Sequence, residues 1–228
     1  MNTYSAEDIK SFYNNDYVKK IAKQTINKNK RLLKYIHFKK TDSIIDFGCG
    51  DGRFALLVHE KIDNYTGVDF SEDFIKKAKN NIFHKNINNV YFICEDIVSF
   101  CKKNPNSFDK AFAFDFTEHV YNKELKTILE SIRNSLKPNG ILYIHTPNGK
   151  YFIELLKKFG IMKQFPEHIA VRNSIEYLEL LNEIGFSNIK VKFISHYILF
   201  LKFLHFLSYI PFLGEYFKAR IFILAKSN

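Results

Sequence analysis

From residue 43 to the end of the chain, short apolar runs alternate with segments whose apolar positions recur every three or four residues. Ser43 to Phe47, Tyr65 to Asp69, Val90 to Cys94, Lys110 to Phe114 and Ile141 to His145 read as buried strands. Helical patterns fill the gaps at Phe54 to Lys61, Glu72 to Asn81, Asn122 to Leu136 and Ser174 to Ile184. This alternation predicts an α/β fold, a parallel sheet with helices on both faces. The end of the chain departs from it. Ile189 to Ile194 and Arg220 to Leu224 read as strands with no crossover helix of the usual pattern between them, which predicts an antiparallel pair at the sheet edge. Ahead of the sheet, residues 1–40 read as a cap of two helices with Tyr13, Tyr17, Leu32, Leu33 and Ile36 as packing positions. No repeat or Pro/Gly/Ser-rich hinge divides the chain, so 1–228 is expected to be a single domain. Within it, 1–40 is the cap, 41–190 the core and 196–217 an apolar helical insertion between the last two strands.

That insertion is unusual in composition. From Phe193 to Gly214 the only formal charge is Lys202, a length that could in principle span a bilayer. Lys202, His205 and Ser208 recur at three-residue spacing opposite Phe200, Phe203, Leu204 and Leu207, however, and Pro211 with Gly214 supplies a stop. The expectation is an amphipathic helix with a wide apolar face. It would serve as a lid on a pocket, a homodimer interface or a peripheral membrane contact, the first two ranked ahead of the third.

Composition adds bounds. The chain has 228 residues, 46% hydrophobic and 25% charged, ordinary globular values that exclude a disordered tail, a collagen-like rod and a disulfide-stapled miniprotein. The charge balance, 34 − 24 = +10, suits either nucleic acid or an enzyme of anionic metabolites. Runs such as Asn27 to Arg31 read as a solvated face. Cys49, Cys94 and Cys101 are an odd number without metal-site spacing, which fits a reduced cytoplasmic protein. Met1 to Lys10 is polar and carries both charges, unlike a secretory signal.

The candidate chemistry begins at Asp46-Phe-Gly48-Cys49-Gly50-Asp-Gly52, between the first strand and the first helix. Glycines there permit a sharp turn and close approach of backbone to a ligand, at the strand ends where open α/β sheets bind theirs. Asp69 ends the second strand, where a carboxylate can accept both hydroxyls of a ribose. Glu95-Asp96-Ile97 ends the third, where a carboxylate and an apolar neighbour can border an adenine. The order Asp46-x-Gly-x-Gly-x-Gly52, Val68-Asp69, Glu95-Asp96 and Leu136-Lys-Pro-Asn-Gly140 resembles the Rossmann-like (class I) S-adenosylmethionine-dependent methyltransferases over about residues 40–190. An NAD-dependent oxidoreductase is disfavoured by Arg53, where the dinucleotide motif needs its last glycine, and by the closing antiparallel pair. The resemblance implies a seven-stranded, mostly parallel sheet with an antiparallel last strand, and S-adenosylmethionine as methyl donor. It implies that Asp46, Gly48, Cys49, Gly50 and Gly52 hold the methionine end, Asp69 with neighbouring Phe70 the ribose, and Asp96 with Ile97 the adenine. Asp115 is a further cofactor contact.

After the fourth strand comes Asp115-Phe-Thr-Glu118-His119, with His168 in a later loop that could fold back over it. Two carboxylates and two imidazoles suit Mg²⁺, Mn²⁺ or Fe²⁺. The pattern is similar to the metal site of small-RNA 2′-O-methyltransferases, with Asp115 where those enzymes have Glu. The Glu-His pair is also similar to that of ubiquinone-pathway O-methyltransferases. The expectation is therefore O-methylation of a small, anionic or polyhydroxylated acceptor, with Asp115, Glu118, His119 and His168 around the metal and Glu118 and His119 catalytic. Without a metal, His119 is the candidate general base. Lys150, Lys163 and Arg172 are candidate contacts to an anionic acceptor. Two alternatives stand beside this: an RNA 3′-end 2′-O-methyltransferase, and a non-catalytic cofactor-binding relative. The absence of Arg-interleaved aromatics argues against the RNA substrate. His145, at the end of the fifth strand, could face the same pocket but reads rather as a satisfied histidine that holds the loop after its strand.

Overall fold

The computed structural model describes residues 27–83, 85–165 and 167–228. Seven strands form one sheet: β1 (Ser43–Phe47), β2 (Asn64–Asp69), β3 (Val90–Cys94), β4 (Phe108–Phe114), β5 (Leu136–Pro147), β6 (Ser187–Ile194) and β7 (Arg220–Lys226). Their order is β3-β2-β1-β4-β5-β7-β6. All pairings from β3 to β5 are parallel, and β7 runs antiparallel to both β5 and β6. The Rossmann-like fold expected from the sequence is therefore present, with one refinement. The two closing strands do pair antiparallel, but only β6 is the edge, because β7 slots in beside β5. The reason is legible in burial: Arg220–Lys226 is apolar on both faces, whereas Ser187–Ile194 alternates and turns Lys190 and Lys192 to solvent.

Alternation along each strand sorts the core into two layers. Ile45, Ala111, Ala113, Leu142, Ile144, Ile221 and Ile223 meet the helices α3 (Ile97–Lys103), α4 (Asn122–Ser135) and α6 (Ser174–Ile184). On the other face Ile44, Phe112, Phe114, Tyr143 and Phe222 meet α1 (Arg53–Val58) and α2 (Glu72–Phe83), together with Leu32 and Ile36. The second layer is aromatic: Phe112 stacks on Tyr143 at 5.2 Å between centroids and meets Phe54 edge-on at 5.0 Å. Of the expected cap, Tyr13 and Tyr17 lie outside the described residues. Leu32 and Ile36 are buried as anticipated and Leu33 is half-buried.

Two expectations fail. Residues 196–217 do not form one amphipathic helix. A five-residue helix, α7 (Leu199–Phe203), gives way to the 3₁₀ segments Leu204–Tyr209 and Gly214–Phe217. His205 and Ser208, expected as the solvent stripe, are half-buried, while Phe200 and Phe203 point outward. The chain doubles back so tightly that a Cβ on Gly214 would lie 2.3 Å from the Ser208 carbonyl oxygen, which a continuous helix would not require. Nor is Asn27 to Arg31 simply a solvated face. Arg31 donates to the Ser195 carbonyl (2.9 Å) and Lys28 enters the site described next.

Candidate active site

Strand order reverses between β1, whose chain leads to β2, and β4, whose chain leads to β5. Ligands of open α/β sheets bind at such a switch point, and both sequence motifs lie there. Gly48, Gly50 and Gly52 all adopt left-handed φ, between 53° and 72°. Two of them differ in purpose. A Cβ on Gly52 would fall 2.4 Å from Phe92 Cζ and 3.0 Å from Ala78 Cβ, so this glycine lets α2 and β3 close on the loop. A Cβ on Gly50 would meet nothing nearer than 3.9 Å, which leaves its backbone open to a ligand. Gly52→Ala is therefore expected to cost about 3 kcal/mol in a urea unfolding titration and Gly50→Ala about 1 kcal/mol. Equal losses would contradict the distinction.

Asp69 braces this loop. Its Oδ2 accepts from Gly50 N–H (3.0 Å) and its Oδ1 from Ser71 N–H (2.9 Å). Burial raises its pKa, against those backbone donors. Asp46 is buried beneath the loop and accepts from the Tyr65 hydroxyl at 2.5 Å. Burial pushes its pKa up to about 7, with the Tyr65 bond opposing and the Asp69 charge adding. Cys49 is buried, its thiol pushed up by desolvation and then by the charges of Asp69 and Asp46, so it lines the loop as an inert neutral group. Phe70 is exposed beside Asp69. Asp96 sits at the end of the adjacent strand and caps α3 by accepting from Ser99 N–H at 3.0 Å, with Ile97 buried behind it. The proposed adenosyl contacts thus stand on three successive strand ends.

The second motif is a pair of loops stapled together. Glu118 and His119 lie in the 3₁₀ turn Thr117–His119 after β4, both buried. His168 lies in the loop between α5 (Phe152–Lys158) and α6. Ala170 N–H donates to the Glu118 carbonyl (3.0 Å). The buried Arg172 donates to the carbonyls of Thr117 (2.8 Å), Val120 (2.6 Å) and Ala170 (3.0 Å) and to Asn122 Oδ1 (2.7 Å). Arg172, expected to meet an anionic acceptor, is thus spent on holding the two loops in register. Lys150 is likewise paired, with Glu215 at 2.8 Å, while Lys163 is exposed.

One ligand atom each from Glu118, His119 and His168 converges within 4.8 Å of the others. His119 Nδ1 lies 2.6 Å from the Glu167 carbonyl. A carbonyl only accepts, so Nδ1 carries the proton and the lone pair of the neutral ring is on Nε2. The His168 ring meets that of His119 edge-on at 5.1 Å, and its buried Nδ1 has no hydrogen-bond partner. Burial first, then the charges of His119 and Lys157, push its pKa down to about 3, so it is neutral as a metal ligand must be. Glu118 accepts from Thr146 Oγ1 at 3.0 Å; burial raises its pKa and the neighbouring His119 charge opposes this.

Asp115 does not join this group. It directly follows β4 with a left-handed φ of 50°, and its carboxylate is held by Arg220 and, at 2.7 Å, by Lys28. Burial would raise its pKa, but the cations of Arg220 and Lys28 hold it well below the usual carboxylate range. Arg220 also donates from Nε to His145 Nε2 (3.0 Å). His145 is kept neutral by burial and by that same cation. Among the described residues it accepts only from Arg220 and its buried Nδ1 has no hydrogen-bond partner, so the satisfied, loop-holding histidine expected from the sequence is not what the structure shows. Lys28, Arg220 and Thr146 were not singled out from the sequence. Their partners lie 28 to 105 positions away in the chain, and no local spacing marks such pairs.

A family model described as a methyltransferase domain matches residues 38–192. The chain belongs to that family. This methyltransferase uses S-adenosylmethionine, and its relatives agree on the fold and differ in chemistry. It is 26% identical over 172 residues to a carboxy-S-adenosyl-L-methionine synthase of Helicobacter pylori, covering 66% of this chain and 69% of that one. It is 32% identical over 124 residues to a ubiquinone biosynthesis O-methyltransferase of Coxiella burnetii, covering 52% of this chain and 50% of that one. Among solved structures, a SAM-dependent methyltransferase from Archaeoglobus fulgidus superposes with a TM-score of 0.69 at 22% identity, over 92% of this chain and 97% of that one. Phosphoethanolamine N-methyltransferase 2 of Haemonchus contortus, solved with S-adenosyl-L-methionine, gives 0.71 at 19% identity, over 99% of this chain and 60% of that one.

Proposed function

We propose that the methyltransferase acts on an oxygen of a small, anionic or polyhydroxylated acceptor, assisted by a divalent metal ion held by Glu118, His119 and His168. The convergence of those three side chains beside the loop after β4 carries the reading. The unpartnered buried Nδ1 of His168 and the Nε2 lone pair that Glu167 fixes on His119 are both of the kind that ligates a metal. With Asp115 engaged elsewhere, the donor set is two imidazoles and one carboxylate, which suits Fe²⁺ better than Mg²⁺. Bound there, the ion would supply Lewis-acid lowering of a hydroxyl pKa.

S-adenosylmethionine supplies an already activated sulfonium methyl, so the protein's main task is alignment. Gly48, Gly50 and Gly52 offer backbone to its methionine end and Asp46 the counter-charge to its ammonium. Asp69, with Phe70 alongside, receives the ribose hydroxyls, and Asp96 with Ile97 borders the adenine. An acceptor with two neighbouring oxygens, such as a sugar diol, a catechol or a phosphoryl group, offers the donors that chelation needs. The test is release of S-adenosylhomocysteine with a panel of such acceptors, with and without chelator and restored Fe²⁺. Turnover indifferent to the chelator would remove the metal and leave His119 Nε2 as the base.

Asp46 makes donor binding depend on pH. Its folded pKa of about 7 lies well above the ordinary carboxylate range. The ligand-free fold therefore binds that proton more tightly than the unfolded chain and loses stability as pH rises through this window. Pairing with an ammonium expels the proton, so affinity for S-adenosylmethionine should rise with pH up to about 7. Calorimetry in buffers of different ionisation enthalpy should then show proton release near neutrality. An enthalpy independent of buffer would exclude this pairing.

A further inference from the structure

The aromatic insertion between β6 and β7 faces away from the core. Leu199, Phe200, Phe203, Phe206, Tyr209 and Phe212 are between 66% and 97% exposed, whereas the polar His205 and Ser208 of the same segment are half-buried. A segment folding for the core alone would do the reverse. Its charges are one-sided as well. No acidic residue occurs from Phe193 to Gly214, and Lys202 stands exposed in the middle. Lys218 lies over the Phe193 ring at 4.7 Å and makes that margin basic, while Lys28, 5.6 Å from the Tyr197 ring, is already paired with Asp115. The one carboxylate close by in sequence, Glu215, is neutralised by Lys150 at 2.8 Å.

We propose that this face docks on an anionic phospholipid membrane. Aromatic rings settle at the boundary of headgroups and acyl chains while lysines around them meet lipid phosphates. No helix among the described residues is long and apolar enough to cross a membrane, so the contact is with the surface. A second copy of the chain is the poorer partner, because a two-fold contact through this face would bring Lys202 and the basic margins of both copies together. The face adjoins the candidate active site, since the segment ends where β7 begins and Arg220 of β7 binds Asp115.

Flotation of the full chain with phosphatidylcholine vesicles, with and without phosphatidylglycerol, tests this. The protein should float with the phosphatidylglycerol vesicles, and less so as salt is raised. Substituting Phe200→Ser, Phe203→Ser and Phe206→Ser together should lower the partition coefficient by at least about a hundredfold. Calorimetric affinity for S-adenosylmethionine, unchanged in that variant, shows that it is folded. Wild-type protein that does not float, or a variant that floats equally well, would overturn the proposal. So would a wild-type dimer that the substitutions convert to a monomer while neither form binds vesicles.

Discussion

Glu118→Ala is expected to reduce turnover by about a thousandfold or more while changing affinity for S-adenosylmethionine by less than about twofold. Glu118 is the only carboxylate in the three-residue cluster, and it is none of the residues proposed to hold the adenosyl group. Its removal takes away a third of the donors, and with it the anionic charge that favours a cation. The fold should tolerate the change, because burying that carboxylate is itself unfavourable, as its raised pKa indicates. Glu118→Gln separates a ligand from a structural acceptor. Gln can still accept from Thr146 Oγ1, so a structural role predicts recovery, whereas a ligand role predicts continued inactivity and weakened metal binding. Metal content of the purified variants reads this independently of turnover.

Asp69→Ala is expected to raise the dissociation constant for S-adenosylmethionine by about a hundredfold, measured by calorimetry. Two effects combine. The carboxylate would no longer receive the ribose hydroxyls, and the N–H groups of Gly50 and Ser71 would lose the acceptor that fixes the glycine loop. Asp96→Ala is the internal comparison. Asp96 is exposed and its structural duty is one helix cap, so its loss should cost about 1 kcal/mol of stability and weaken the donor several-fold. An Asp69 variant that binds as well as the Asp96 variant would remove the ribose assignment.

Most of the sheet was legible because strand and helix leave different periods in the sequence. β1 and β3 match their apolar runs end to end, and so does the helix Ser174–Ile184. What the sequence did not reveal depends on distance along the chain. That β7 would insert between β5 and β6 follows from its pairing with a strand some 80 positions earlier, although the unbroken apolar run Ile221–Ala225 was a signal of a central strand. Asp115 looked like a metal ligand by spacing alone. Arg220, 105 positions away, captures it, and only the folded chain brings them together. The same holds for Arg172, whose guanidinium binds the loop containing Glu118 and His119. In the insertion, the three-residue spacing of Lys202, His205 and Ser208 suggested a helix running up to Pro211, but the α-helix ends at Phe203 and the chain continues as 3₁₀ segments that fold Gly214 back against the Ser208 carbonyl.

The most direct test of the central claim is diffraction from crystals grown with S-adenosylhomocysteine and saturating Fe²⁺, with data collected across the iron absorption edge. One anomalous peak bonded to Glu118, His119 and His168, with the nucleoside lying along the glycine loop, is the predicted result. The nucleoside in place with no iron between those three side chains would contradict it.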